Sequence, residues 1–174
     1  FVTGASSGIG EATVRRFAED RLVPRLAEWE ADGRVPPTVH RETAEAGLLG
    51  IGFPEDVGGC GGDAVDAFLV AEEIILAGGS SGLVAALFTH GIALPHIVAA
   101  GSADLVDRVV RPVLAGEAIA SLAVTEPEGG SDVAGLRTRA ARDGDDYVVT
   151  GAKLYITSAT RAGFITTAVR TGGD

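Results

Sequence analysis

Methionine is absent from the 174 residues, and cysteine, tryptophan and lysine occur once each, as Cys60, Trp29 and Lys153. One cysteine excludes an internal disulfide and any multi-cysteine metal site, and it fits a reducing compartment, so a cytoplasmic location is expected. Cys60 lies among Gly58, Gly59, Gly61 and Gly62 with no activating base beside it, which reads as a loop thiol. Near-absence of lysine, with a net charge of -10, disfavours nucleic acid, whose phosphates need clustered cations. The same charge argues against an anionic membrane surface. His40, His90 and His96 show no ligand spacing with acidic partners, so no metal site is expected. The one long apolar stretch, 83–100, is interrupted by Thr89, Gly91 and Pro95 and falls short of the roughly 20 apolar residues of a spanning helix. It is expected to be a buried central helix pair.

With 46% hydrophobic residues the chain can bury a core. From Glu11 to about Gly116 the pattern is helical. Leu22, Leu26 and Trp29 share a face, and Pro24 kinks that helix or marks its first turn. Pro36-Pro37 opens the next helix, with Thr38 as its cap and Gly47 near its end. Between Asp63 and Ala77 the core stripe reads Val65, Phe68, Leu69, Ile75 and Leu76, with Glu72 inserted in it. From Asp104 to Ala115 it reads Leu105, Val106, Val109, Val110, Val113 and Leu114, with Asp104, Asp107, Arg108 and Arg111 opposite. After Gly116 the period shortens. Strands are expected at 118–124, 137–142, 147–150, 154–157 and 164–169, and Arg137, Arg139 and Arg142 with Asp143, Asp145 and Asp146 read as a solvated hairpin. Helices followed by strands make the class α+β, with the boundary near Glu117. The chain begins at Phe1 in what reads as mid-strand and stops at Asp174 just after one, so both ends are expected to be cut.

Two motifs compete for the function. Thr3 to Gly10, TGASSGIG, sets three glycines between an apolar remnant and a helix, a spacing that lets backbone N–H groups approach a pyrophosphate. This segment, residues 1–18, resembles the cofactor loop of short-chain dehydrogenases, which implies an NAD(P) loop at Gly4, Ser6, Gly8, Ile9 and Gly10. That family also requires a repeating βα pattern and a Tyr-x-x-x-Lys pair. Neither follows, since Tyr147 and Tyr155 are followed four residues on by Gly151 and Ala159. NAD(P) is therefore not the expected cofactor.

The second motif is Ser121 to Asp132, SLAVTEPEGGSD, followed by Lys153 to Thr157, KLYIT. A strand ends at Thr125, Pro127 breaks the ladder, and Gly129-Gly130 admits a planar ligand close to backbone. Thr125 and Ser131 add hydroxyls. A corner without a ligand would read much the same. The block TEPEGGSD is, however, similar to the signature of acyl-CoA dehydrogenases, and DDYVVTGAKLYIT at 145–157 follows at that family's spacing. Upstream, AGLLGIGFP at 46–54 and the glycine-rich loop after it also resemble this family, so the likeness covers residues from about 17 to 174.

The resemblance implies an N-terminal all-α helical domain at 17–117 and the first strands of a truncated β-barrel-like middle domain at 118–174. Residues 1–18 are then left as a fused segment joined within Arg15–Glu19. It also implies FAD, with Leu122, Ala123, Val124, Thr125, Gly130 and Ser131 along the flavin and Tyr155, Ile156 and Thr157 over its other face. Ser131 would contact the acyl-CoA substrate as well. The family usually carries Trp at the position of Tyr155 and often Asn at that of Ser158. Its catalytic glutamate lies in a C-terminal helical domain, before which this chain ends, so no catalytic base is expected here and FAD is expected to bind weakly or not at all. An electron-transferring flavoprotein as partner and a homo-oligomeric parent are further implications. Three readings stand at this stage: a flavin-dependent acyl-CoA dehydrogenase fragment, an NAD(P) reductase, and a non-catalytic remnant or interaction module.

Overall fold

The computed structural model of the chain describes residues 8–172. The helical part comprises α1 (Gly8–Phe17), α2 (Val23–Ala31), α3 (Pro37–Glu45), α4 (Ala64–Leu76), α5 (Ser81–Phe88), α6 (His90–Ala93), α7 (Pro95–Ala100), α8 (Ala103–Leu105) and α9 (Arg111–Leu114). After it come β1 (Ala120–Ala123), β2 (Arg139–Asp143), β3 (Asp146–Thr150) and β4 (Phe164–Thr167).

Proline sets the irregularities of the helices. A wide π-type turn at Ala18–Leu22 joins α1 to α2, and a second at Val106–Val110 joins α8 to α9. Each precedes a helix with proline in its first turn, Pro24 and Pro112. A proline gives no N–H to the turn behind it and its ring crowds that turn's carbonyls, so the chain widens there instead of breaking. The α3 helix also starts on proline. Its N-cap is Pro36 with no side-chain cap, not the expected Thr38, because Pro37 at the first position leaves one fewer N–H to satisfy. By contrast, α4 opens on a full capping box between Asp63 and Asp66, and α5 on the Ser80 hydroxyl.

The helices enclose two apolar clusters. The first gathers Val14, Leu22, Trp29, Val39, Ile74, Leu83 and Leu87 from α1 to α5. Leu87 and Ile74 are fully buried, and Leu87→Ala is expected to cost about 2–5 kcal/mol, measurable by urea denaturation. The second cluster gathers Phe53, Leu94, Val106, Val110, Val113 and Leu114 with Ala120 of β1. That cluster is what welds the helical part to the strands.

The expected stripe of the last helices is borne out: Val106, Val109, Val110, Val113 and Leu114 are buried, while Asp104–Arg108 and Asp107–Arg111 pair on the outside. The α4 stripe is not. Val65, Phe68, Ile75 and Leu76 face outward, Phe68 being 65% exposed, and the buried side is Val70, Glu73 and Ile74. The reason is a partner on another helix. Arg15 of α1 grips the buried Glu73 carboxylate in a two-pronged contact, Nε at 2.6 Å and Nη2 at 2.9 Å, so the side that looked less apolar can turn inward. The 83–100 stretch is buried through Leu83, Leu87, His90, Ala93 and Leu94, whereas Ile92 and α7 lie toward the surface. Among the described residues no single helix is long and apolar enough to cross a membrane. The bent pair Ser81–Phe88 and His90–Ala100 passes such a test only jointly, across a 49° break.

The strands make two small sheets. β1 pairs with β4 in parallel, Ala120 opposite Phe164 and Ala123 opposite Thr167. β2 and β3 form the expected hairpin, closed at Asp143–Asp146 with Gly144 at φ +62°. The hairpin is tied to the end of β4 by Ala140 N–H donating to Arg170 O and Arg170 N–H donating to Thr138 O. The fourth expected strand, 154–157, is not one: Tyr155 sits at φ +56°, in the left-handed region that breaks any ladder.

Candidate functional site

The two segments singled out in the sequence come together. β1 runs on through Val124 and Thr125, and the segment Lys153–Thr157 lies beside it in the opposite direction. Lys153 Nζ donates to Val124 O at 2.9 Å, Leu154 N–H to Thr125 O at 2.9 Å, and Ser121 Oγ–H to Thr157 O at 2.7 Å. The first arm then doubles back at Glu126, whose backbone exchanges hydrogen bonds with Gly129 across Pro127 and Glu128. Gly130 comes over Thr125 so closely that a Cβ there would lie 3.3 Å from the threonine side chain.

Between these arms the chemistry is that of a platform. Tyr155 is 90% exposed, and its ring makes no aromatic or cation contact among the described residues. The backbone N–H groups of Tyr155, Ile156 and Thr157 donate to no protein acceptor among the described residues. Val124 and Thr125 are half-buried, and Thr157 and Ser131 are exposed. An aromatic face beside a row of open donors and hydroxyls suits a planar, acceptor-rich ring system. Two of the expected contacts are more restricted. Ala123 is buried and its carbonyl accepts from Ala168 N–H on the β4 side, and Leu122 is partly buried against the second apolar cluster.

From Thr157 to Arg161 the chain borders a cleft of about 660 Å3 between this turn and the helical part, walled by Trp29, Val35, Leu83, Ser158 and Arg161. Arg161 donates to Val35 O and to Ser158 Oγ, which ties the turn after Thr157 to the α2–α3 connection. Burial lowers the pKa of that guanidinium from its ordinary value.

Sequence reasoning missed the pair that holds the platform. The Glu126 side chain, 4% exposed, receives Lys153 Nζ at 2.8 Å, Arg137 N–H at 2.6 Å and Thr138 N–H at 2.9 Å. The Lys153 bond foremost, then the donors from Thr138 and Arg137, holds this carboxyl well below the usual carboxylate range. The signal was present, because Lys153 is the only lysine in the chain and opens the second motif.

Other candidates recede. Gly4 and Ser6 lie outside the described residues, while Gly8, Ile9 and Gly10 form the opening of α1 and not a turn ahead of it. Burial raises the pKa of the Cys60 thiol, the opposite of what a nucleophile needs. Among the described residues no cluster of histidine, cysteine and carboxylates could hold a metal.

His40 and His90 are buried in the helical part, and burial lowers the pKa of both below 6.5. In the unfolded chain they take up protons near pH 6.5, so below that point the unfolded state binds more protons than the folded one. Stability is therefore expected to be level from pH 8 to about 7 and to fall as the pH drops below about 6.5 toward the lowered values of the folded state. Urea midpoints taken from pH 8 to 5.5 check this, and a midpoint that rises on acidification contradicts it.

Comparison with known proteins agrees with this geometry. Residues 10–117 match the model of the acyl-CoA dehydrogenase N-terminal domain, and residues 121–174 match that of the acyl-CoA dehydrogenase middle domain. The match thus takes in α1 from Gly10 onward. Long-chain specific acyl-CoA dehydrogenase of Sus scrofa is 36% identical over 146 residues, 84% of this chain and 34% of that protein. A crystal structure of a probable acyl-CoA dehydrogenase from Mycobacterium abscessus superposes with a TM-score of 0.93 at 60% identity, over 98% of this chain and 46% of that one. A glutaryl-CoA dehydrogenase from Mycobacterium smegmatis, solved in complex with FADH2, gives 0.81 at 31% identity, over 92% of this chain and 41% of that one. The chain spans less than half the length of these relatives. With both domain models matched in order across the helices and the strands that carry the platform, the chain belongs to the acyl-CoA dehydrogenase family.

Proposed function

We propose that the platform of Val124, Thr125, Tyr155, Ile156 and Thr157 is one wall of an FAD site serving the α,β-dehydrogenation of an acyl-CoA thioester. The observation that carries this reading is the antiparallel seating of the two arms, which presents an uncovered aromatic ring beside open backbone donors. FAD, when bound, supplies the acceptor for the hydride that leaves the β-carbon.

This chain's own residues orient and cover. Tyr155 offers a ring face, Thr125 and Thr157 offer hydroxyls, and Ser131 stands exposed at the far side of the glycine turn, where it can reach the thioester substrate. Glu126 is not the base that takes the α-proton. Its oxygens are engaged by Lys153 and two backbone N–H groups, and a carboxylate held so far below neutrality has little proton affinity. The base is a group these residues do not supply.

Acyl-CoA as substrate, an electron-transferring flavoprotein as acceptor and a homo-oligomeric assembly belong to the same reading. The uncovered apolar side of α4, with Val65, Phe68 and Leu76, supports an assembly that covers it. A cytoplasmic location is supported by the single free thiol.

The test is titration of the purified chain with FAD, followed by the visible flavin band and by fluorescence. Because these residues supply one wall only, weak binding is expected, seen as a perturbed band at high protein concentration that Tyr155→Ala weakens further, and a flavin spectrum identical to that of free FAD at every protein concentration overturns the reading.

A further inference from the structure

We infer that Lys153 and Glu126 act as a positioning latch, setting the spacing between the two arms so that the platform exists before any ligand arrives. This deepens the flavin reading and rests on it.

The geometry places one ammonium where three things must be held at once. Lys153 Nζ meets the carbonyl of Val124 on the first arm and the carboxylate of Glu126 one turn further on, while its own backbone begins the second arm. Glu126 extends the grip to the hairpin side through Arg137 N–H and Thr138 N–H. The side chains of both are nearly out of water, Lys153 at 10% exposure and Glu126 at 4%. Among the described residues neither forms an ion pair with any side chain but the other. In such surroundings removing one partner leaves the other charge buried and unpaired, so the pair acts as a unit.

What the latch holds in place is strained. Tyr155 and Ser158, neither of them glycine, sit at φ +56° and +62°. Side chains with a Cβ rarely adopt that region unless the surroundings over-determine it. Leu154 N–H to Thr125 O on one side and Ser121 Oγ–H to Thr157 O on the other bracket Tyr155, with Ser158 just beyond, and Lys153 anchors the start of the arm. Without the ammonium, the Val124 carbonyl loses its donor and the two arms are joined only by the remaining bonds. Tyr155 is then free to relax from the left-handed region, and the row of open donors beside it loses its alignment. Lys153 and Glu126 are accordingly positioning residues, acting through the backbone of the arms and not on a ligand themselves.

Four proteins test this: the wild-type chain, Lys153→Met, Glu126→Gln, and Arg15→Met as a control that breaks a comparable ion pair in the helical part, away from the platform. Lys153→Met keeps the length of the stem and removes the charge. Two measurements are made on each, amide hydrogen exchange and FAD affinity. In Lys153→Met and Glu126→Gln, protection of the Leu154 amide is expected to fall by about tenfold or more while amides of α4 and α5 keep theirs. FAD affinity is expected to fall by about tenfold or more in the same two variants. Arg15→Met should loosen α1 and α4 and leave FAD affinity unchanged, so that an affinity loss confined to the two platform variants is not a general effect of lost stability.

Unchanged Leu154 protection in Lys153→Met overturns the latch. Lost protection with unchanged FAD affinity overturns its positioning role while the flavin reading survives. A wild-type chain that binds no FAD overturns the flavin reading and the role that rests on it, and the exchange data then still report whether the arms are latched.

Discussion

Gly116→Val is expected to destabilise the chain by roughly 4 kcal/mol, the sum of a backbone term and a packing term. Gly116 closes α9 with its N–H on Val113 O and sits at φ +72°, a left-handed end from which the chain turns into β1. A β-branched residue there is a steric outlier, about 1–3 kcal/mol. Space is the second obstacle. A Cβ would lie 2.6 Å from His40 O and 2.7 Å from Arg41 Cα, both main-chain atoms of α3 that no rotamer change can move. The strain therefore lands on α3, in the first apolar cluster, and on β1, in the second. Gly33→Ala isolates the backbone part: Gly33 has φ +67° and nothing within 4 Å of a Cβ, so about 1 kcal/mol is expected. Urea denaturation of the two variants checks both figures, and near-equal losses would show that the contact with α3 carries no weight.

Much of the fold was legible because local rules and tertiary packing agreed there. The stripe from Val106 to Leu114 has one apolar side and two i, i+4 ion pairs on the other, so only one side can be buried. The change of period after Gly116 likewise marks a real change from helices to strands. The α4 helix was misread because it is apolar on two sides and carries a glutamate on each, Glu72 and Glu73. Which side turns inward is decided by Arg15, distant in sequence, and periodicity holds no information about that partner.

The site was legible as two motifs but not as a device. Their residue types point to a ligand platform, and the structure seats them side by side. Residues 154–157 read as a strand because leucine, tyrosine, isoleucine and threonine favour one. The side-chain ties from Ser121, Glu126 and Lys153 override that preference and put Tyr155 into the left-handed region. The sequence alone assigns Glu126 no role within its motif. Only the fold shows that it is buried and fully engaged.

Gly59→Val tests the same tension between local freedom and tertiary space in the helical part. Gly59 shows no positive φ, so its backbone alone would accept any residue. Its surroundings forbid one: a Cβ would lie 2.1 Å from Phe53 O, 2.5 Å from Phe53 C and 2.6 Å from Phe53 Cβ. These atoms belong to a closed loop in which Gly52 N–H donates to Gly61 O, Gly61 N–H to Phe53 O, Gly59 N–H to Pro54 O and Cys60 N–H to Gly50 O. Phe53 cannot yield without breaking that loop. Its ring lies 5.8 Å from the ring of His90, and together with Ile51, Gly52 and Pro54 it lines an apolar cleft of about 430 Å3 against α4, α6 and α7. A shift of Phe53 therefore strips the second apolar cluster of an aromatic side chain and disturbs the buried histidine beside it. The expected loss is roughly 3 kcal/mol, an overpacking cost near the top of the usual range because the clash is with main chain. Gly82→Ala is the matched control, since a Cβ at that position in α5 meets only Ser80 Oγ at 3.7 Å and alanine favours the helix by roughly 0.5–1 kcal/mol. Opposite signs of stability change for the two variants in urea are the expected result, and a Gly59→Val chain as stable as the wild type would mean that the loop from Gly50 to Gly61 is not closed as described.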